Sequence, residues 1–272
     1  MTDFKLIGQG RTADIFEHQD GKVLKLYKQD FPLDAINQEF AVSKFVYSLG
    51  IKTPRPFELI QVNSRTGVIF ERVFGISLLK VMTMKPWSID KHSKKLAKLH
   101  FEIHRHQMHD RIELLRHQEG VLIHNINQAP FLSEHEKEEI VDYLQELPTD
   151  NKLCHGDFHP DNVLVGEDNL IIDWMTGMIG KPAGDVARTV ILLSLGAMPK
   201  GTPKIVTILI CILRNRIKSV YVKQYLKLSG LDFLEIDRWI LPVAAARLTE
   251  WLPDEEKKNL LNIIRERLRE IS

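Results

Sequence analysis

The chain has 272 residues, is 44% hydrophobic and 27% charged, and carries 37 basic against 36 acidic residues. That length allows one large domain or two lobes with a sizeable core, and the composition excludes a largely disordered chain. A formal charge of +1 points to neither nucleic acid nor an acidic partner, and two cysteines, Cys154 and Cys211, exclude a disulfide framework.

The opening "MTDFKLIGQG" has no signal-peptide core, and the best apolar run, Ile205 to Leu213, stops at nine residues. A soluble cytoplasmic protein with no membrane partner is expected. Residues 4 to 73 alternate short β-branched runs, "FKLIG", "ADIFEH", "KVLKLY", "FELIQV" and "GVIFERV", with turn signals. They predict an antiparallel sheet of about five strands, with "HQDGK" and "NSRTG" as hairpin turns containing Gly21 and Gly67. Between the third and fourth strands, Ile36, Phe40, Val42, Phe45, Val46 and Leu49 recur at helical spacing. Asp34 is the expected N-cap of that helix and Gly50 stands just past its end.

From Ser77 onward the pattern is mainly helical, apart from "LCHGDFHPDNVLVGEDNLIIDW" at 153–174, where "NVLVG" and "LIIDW" read as a hairpin around "GEDN". The expected fold class is α+β. An N-terminal lobe, 1–73, carries a five-stranded antiparallel sheet with one helix, and a mainly helical C-terminal lobe, 74–272, packs with it around a cleft.

In the 153–174 stretch, Asp157 and Asn162 lie five positions apart on a loop, and Asp173 ends the following strand. Hard oxygen donors such as Asn162 and Asp173 suit Mg²⁺, which binds through one or two protein groups plus substrate phosphates. Five residues is also the spacing between the proton-accepting Asp and the metal-binding Asn of a kinase catalytic loop. Any one of these residues most often just caps a turn. Upstream, however, "GQGRTADI" sets Gly8 and Gly10 at G-x-G spacing, with Ala13 where a third glycine would stand. Ten residues after Ile15 comes Lys25 on a strand, and the next helix offers Glu39. A strand Lys and a helix Glu form the ion pair that a kinase nucleotide site requires.

In this order the features resemble the aminoglycoside phosphotransferase and choline kinase-like family of small-molecule kinases, whose fold is similar to that of protein kinases. "HGDFHPDN" followed by "IIDW" is that family's most specific signature, and the resemblance runs from "LIGQG" to "GDVARTV". It implies a bilobal protein-kinase-like fold, with ATP (GTP as the alternative) and Mg²⁺ as cofactors. By the same resemblance Asp157 is the catalytic base or hydroxyl orienter, Asn162 and Asp173 bind Mg²⁺, and Lys25 and Glu39 organise the phosphates. The backbone of Glu71 to Val73 would receive adenine, His155 would fix the loop, and Asp185 would be a buried anchor of the following helix. Only eleven residues separate Asp173 from Asp185, and "DFG" and "APE" are missing, which disfavours a protein substrate.

The acceptor is read from charge. Val186 to Leu231 contains eight Lys or Arg and no acid, and Lys80 to Pro130 adds nine basic against five acidic residues. A polycationic aminoglycoside needs carboxylates to match it when desolvated, so a neutral or anionic hydroxyl compound is expected first and an antibiotic second. A nucleotide-binding scaffold without turnover is a third reading. Trp239 and Trp251 could form a cation box or simply pack helices. His100 and His104 at i and i+4, with His106 and His109 nearby, have zinc-like spacing, but no Cys or fitting carboxylate completes a set, so a partly buried helix face is expected. Cys154 is expected to be a small buried hydrophobe. The oligomeric state has no sequence signal.

Overall fold

The computed structural model describes residues 5–108, 112–195 and 204–271. Its first elements are β1 (Leu6–Gln9), β2 (Ala13–His18), β3 (Lys22–Tyr27), α1 (Leu33–Ser48), β4 (Pro56–Val62), β5 (Arg65–Glu71), β6 (Ile76–Ser77) and α2 (Leu78–Met84). Then come α3 (Ile89–His104), β7 (Arg116–His117), α4 (Gln118–Asn127), α5 (Glu134–Gln145), β8 (Lys152–Cys154), β9 (Val163–Val165), β10 (Asn169–Ile171) and β11 (Met178–Gly180). The remainder is helical: α6 (Pro182–Leu195), α7 (Lys204–Ser229), α8 (Phe233–Asp237), α9 (Ile240–Arg247) and α10 (Asp254–Ile271). The chain forms two compact units, residues 1–83 with 160–177 and residues 84–159 with 178–272.

The first unit is built on a five-stranded antiparallel sheet of order β1-β2-β3-β5-β4. Alternation along the strands sorts its side chains. Leu24, Leu26 and Ile69 cluster on one face, while Ala13, Tyr27, Val68 and Phe70 join Ile36 of α1 on the other. Lys25 has the parity of Tyr27 and therefore lies on the face that α1 covers. In α1 the buried positions are Ile36, Glu39, Val42, Ser43 and Val46, so one acid sits within the apolar stripe.

Three local expectations are corrected. Asp20 and Gly21, both at positive φ, turn the β2–β3 hairpin as expected, but the β4–β5 turn rests on Asn63 (φ 47°) and Ser64 (φ 63°). Gly67 lies inside β5, opposite Leu26 and Ile60, where a Cβ would come within 2.6 Å of Leu24 Cδ1. Close packing, not turning, demands that glycine. Pro32 occupies the cap position of α1, so Asp34 falls in the first turn and makes no cap bond; its charge still favours the positive end of the helix dipole. Gly50 (φ 78°) does follow the helix end. β10 stops at Ile171, and Asp173 lies beyond it in the left-handed region (φ 67°).

The β9–β10 hairpin forms as expected, with Leu170 opposite Leu164. Its grouping departs from the division at 73/74, which placed it with the helices. β6 pairs with β9, Lys52 O accepts the Ile171 N–H at 2.8 Å, and Gly177 lies so near Val42 that a Cβ would come within 2.7 Å of Cγ1. These links hold 160–177 on the sheet-bearing unit.

The second unit is mainly helical, with α3 packed on α7 and α9 packed among α4, α5, α6 and α10. A small sheet of order β7-β11-β8 runs through it, in which Met178 pairs with Cys154. Strands of two or three residues carry too little alternation to be read from sequence. β8 delivers the chain to the 155–159 loop.

Candidate functional site

In the sheet-bearing unit Lys25 Nζ donates to Glu39 Oε1 at 2.6 Å and to Asp173 Oδ1 at 3.1 Å. Tyr27 OH donates to the other oxygen of Glu39 at 2.5 Å. Burial disfavours the Lys25 ammonium, but Glu39 and Asp173 outweigh it and raise its pKa, so the amine stays charged. Burial likewise pushes the Glu39 carboxyl up, while Lys25 pulls it back. Asn162 ends the short turn Pro160–Asn162, is buried, and accepts the Ile172 N–H on its carbonyl at 3.0 Å. The backbone carrying Asn162 is thereby tied to the residue before Asp173.

Gly8 pairs with Ile15, and Gly10 N–H donates to Ala13 O at 2.8 Å, closing the β1–β2 turn. A Cβ on Gly10 would meet that carbonyl at 3.3 Å. Glu71 ends β5 and donates its N–H to Arg55 O at 2.8 Å, and Arg72 donates to Gly21 O at 2.9 Å. Val73 follows before β6.

Asp157 belongs to the helical unit. Its Oδ1 accepts Arg188 Nη2 of α6 at 2.9 Å, and His159 Nε2 lies 3.5 Å from Oδ2. Arg188 Nη1 also donates to Glu250 Oε1 at 2.5 Å, Arg247 Nε lies 3.7 Å from Glu250 Oε2, and Arg247 Nη2 donates to Glu256 Oε1 at 2.6 Å. Charges thus alternate through Asp157, Arg188, Glu250, Arg247 and Glu256. Burial alone would raise the Asp157 pKa, but His159 and Arg188 outweigh it and hold the carboxyl far below the usual range. Counting charge along the chain placed Arg188 in a basic run and missed this contact.

Asp185 anchors more than its own helix. Its Oδ2 accepts the His155 N–H at 2.6 Å and its Oδ1 the Gly156 N–H at 3.0 Å, which fixes the backbone just before Asp157. His100 and His104 Nε2 lie 3.1 and 3.2 Å from the same Oδ2, and their Nδ1 atoms meet Tyr221 OH and Tyr225 OH at 2.6 Å each. The expectation that no carboxylate completes the histidine pair is therefore corrected: the three ligand atoms fall within 4.8 Å of one another. The donor set still does not fit a zinc ion, because both imidazoles spend both nitrogens and Asp185 spends both oxygens on protein partners. His106 hydrogen-bonds backbone carbonyls of α3, and His109 lies outside the described residues.

Cys154 is buried, and burial pushes its thiol well up, as expected of an inert core cysteine. Trp239 is core while Trp251 is exposed, so the two form no box. The basic stretch from Arg188 to Lys227 is dispersed: Arg188 turns inward to Asp157, and Arg216 forks onto Asp90 of α3.

Comparison with known structures finds the same fold in several phosphotransferases. An aminoglycoside-3'-phosphotransferase of type VIII aligns over 90% of this chain and 93% of its own at 15% identity, with a TM-score of 0.60. A streptomycin–ATP ternary complex of APH(2")-IIa aligns over 96% and 91% at 15% identity (TM-score 0.59). Macrolide 2'-phosphotransferase MphH from Brachybacterium faecium aligns over 98% and 93% at 16% identity (TM-score 0.54). Such identities establish a shared fold and no more. Curated protein sequences give no match. The model of the phosphotransferase enzyme family matches residues 3–202, and the chain belongs to that family.

Proposed function

We propose that this protein transfers the γ-phosphoryl group of ATP to a hydroxyl of a small molecule. The observation that carries this reading is Lys25 bridging Glu39 and Asp173, a nucleotide-site ion pair joined to the expected metal-binding carboxylate. In this role Lys25 grips the α- and β-phosphates, Glu39 and Tyr27 hold the amine in place, and the β1–β2 turn with Gly8 and Gly10 covers the phosphates. Because the Glu71 and Arg72 N–H groups are taken by the carbonyls of Arg55 and Gly21, adenine recognition falls to the Glu71 carbonyl and the Val73 peptide. Asn162 and Asp173 offer the hard oxygen donors that Mg²⁺ prefers, on backbone already tied together. When bound, the ion would neutralise charge spreading over the phosphoryl oxygens. Asp157, held ionised, aligns the acceptor hydroxyl and takes its proton late; its low basicity suits orientation better than early proton abstraction.

A neutral or anionic acceptor remains the first reading, on changed grounds. Asp90, Asp237, Glu250 and Glu256 each already carry an arginine. A polycation drawing on these four carboxylates would have to break such pairs; Glu266 and Glu270, which line a pocket with Asp237, are the acids it would use instead. The antibiotic reading is second, supported by relatives described as aminoglycoside and macrolide phosphotransferases. The test is acceptor-dependent ADP or GDP release over a panel of sugars, hydroxy acids, amino alcohols, aminoglycosides and macrolides. Saturable turnover of an aminoglycoside alone would reverse the ranking, and nucleotide binding with no turnover at all would make the protein a scaffold.

A further inference from the structure

The folded surface shows a feature that phosphotransfer does not use. α3 and α7 run parallel, since His100 meets Tyr221 and His104 meets Tyr225, and Arg216 reaches back to Asp90. Extending that register at equal rise per residue, the first residue of α3 lies roughly level with Ile210. By that register the first turns of α7 extend past the first residue of α3, towards the end of the pair where the Pro86–Ser88 turn leads into α3. At this end of the pair Trp87 is 82% exposed, Ile205 78%, and Ile208 and Ile212 59% each, with Met84 and Leu209 also exposed. Six large apolar side chains at one end of a helix pair exceed the scattered apolar residues of an ordinary surface.

The charges around them have one sign. From Met84 to Phe101 there are five lysines and a single acid, Asp90, which Arg216 already occupies; α7 has no acid at all. Lys85, Lys91, Lys94 and Lys95 cluster about the start of α3. His92 among them feels this field, its protonation pushed down by burial and then by Lys95, Lys91 and Lys85.

We infer that this end of the α3–α7 pair docks on an anionic lipid surface, with Trp87 and the α7 isoleucines entering the headgroup boundary and the lysines facing lipid phosphates. An apolar tip with an interfacial tryptophan and a basic surround is the pattern of reversible peripheral attachment. A second copy of the chain is disfavoured as the occupant because the lysines of both copies would face one another, and a nucleic acid would leave the isoleucines in water. Among the described residues no helix is long and apolar enough to cross a membrane, so the contact is peripheral. The inference does not depend on the phosphotransfer reading.

The test is flotation of the full chain with phosphatidylcholine vesicles and with vesicles containing about one third phosphatidylglycerol. Capture by the anionic vesicles is expected, with loss at 0.5 M salt and little capture by the neutral ones. Ile208→Glu with Ile212→Glu removes apolar insertion, and Lys91→Glu with Lys94→Glu reverses charge; each pair alters exposed positions and should reduce capture about tenfold or more. Absence of wild-type capture by anionic vesicles overturns the inference, as does capture that both double variants retain. A dimer in sedimentation that disappears in Ile208→Glu with Ile212→Glu, without vesicle capture, overturns it in favour of self-association.

Discussion

Arg188→Met keeps length and apolar stem but removes the guanidinium shared by Asp157 and Glu250. The three side chains are between 19% and 28% exposed, so the pairs are neither fully buried nor surface pairs. Losing one partner of a fully buried pair costs about 3–5 kcal/mol and a surface pair about 0–1, which places this loss at about 2–3 kcal/mol. At roughly 2–4 °C per kcal/mol for a chain near this size, Tm should fall by about 5–10 °C. The effect on turnover is separate. Without Arg188, Asp157 loses its fixed direction and one of the charges that depress its pKa, so the acid limb of kcat should move to higher pH. Misorientation should lower kcat by about 10- to 100-fold, while the KM for Mg·ATP stays within about twofold because Lys25 and Glu39 are untouched. Acceptor-independent ATP hydrolysis, followed by ADP release from pH 5 to 9, makes the measurement possible before the acceptor is known. Arg188→Lys should recover part of the stability but not the fork, and hence little of kcat. A folded Arg188→Met protein with the expected loss of Tm but unchanged kcat and pH profile would show that Arg188 only supports the fold.

The other expectations use the same two units. Lys25→Met leaves Glu39 without its ammonium and should weaken Mg·ATP binding and turnover together by at least about tenfold; unaltered calorimetric affinity would remove Lys25 from the nucleotide site. Asp157→Asn should cut turnover by about two to four decades with nucleotide affinity kept, whereas Asp173→Ala should lose Mg²⁺-dependent affinity as well; identical titrations for the two variants would contradict the division of roles. Buried His100 is pushed down to about 3 by burial and by neighbouring His104, against a reference of 6.5. Between those values the unfolded chain binds the proton and the folded one does not, so stability should fall as pH drops from 6.5, by up to about 1.4 kcal/mol per pH unit. A Tm equal at pH 7 and pH 5 would rule this out. Gly67→Ala should cost about 1–3 kcal/mol by pressing a methyl on Leu24; an unchanged midpoint in urea would show that the strand pair yields freely.

The sheet was legible because its evidence is local. Period-two runs and the Asp20–Gly21 turn fall within a few residues of one another. Gly67 misled for an equally local reason: a glycine in a turn-rich stretch attracts the turn assignment, although Asn63 and Ser64 tolerate positive φ and the glycine was needed for packing. Asp34 misled likewise, because a proline one residue before the helix leaves an acid in the first turn and an empty cap.

The order of Asp157, Asn162 and Asp173 could be read because they share one loop and hairpin, and Lys25 with Glu39 because a strand and the next helix make their encounter a short-range event. What holds that loop was not legible. Asp185 reaches His155 across 30 residues and His100 across 85, and Arg188 reaches Glu250 across 62. In a sequence, Arg188 differs in nothing from Arg214 or Lys218, and all three add to the same basic run. Only packing decides that one of them turns inward to a carboxylate. A count of charge therefore bears on partners only for side chains that stay on the surface. The basic run lost its value as an argument about the acceptor once Arg188 and Arg216 had found Asp157 and Asp90. The lysines around Trp87 gained value by the opposite route, since the one acid among them is already taken.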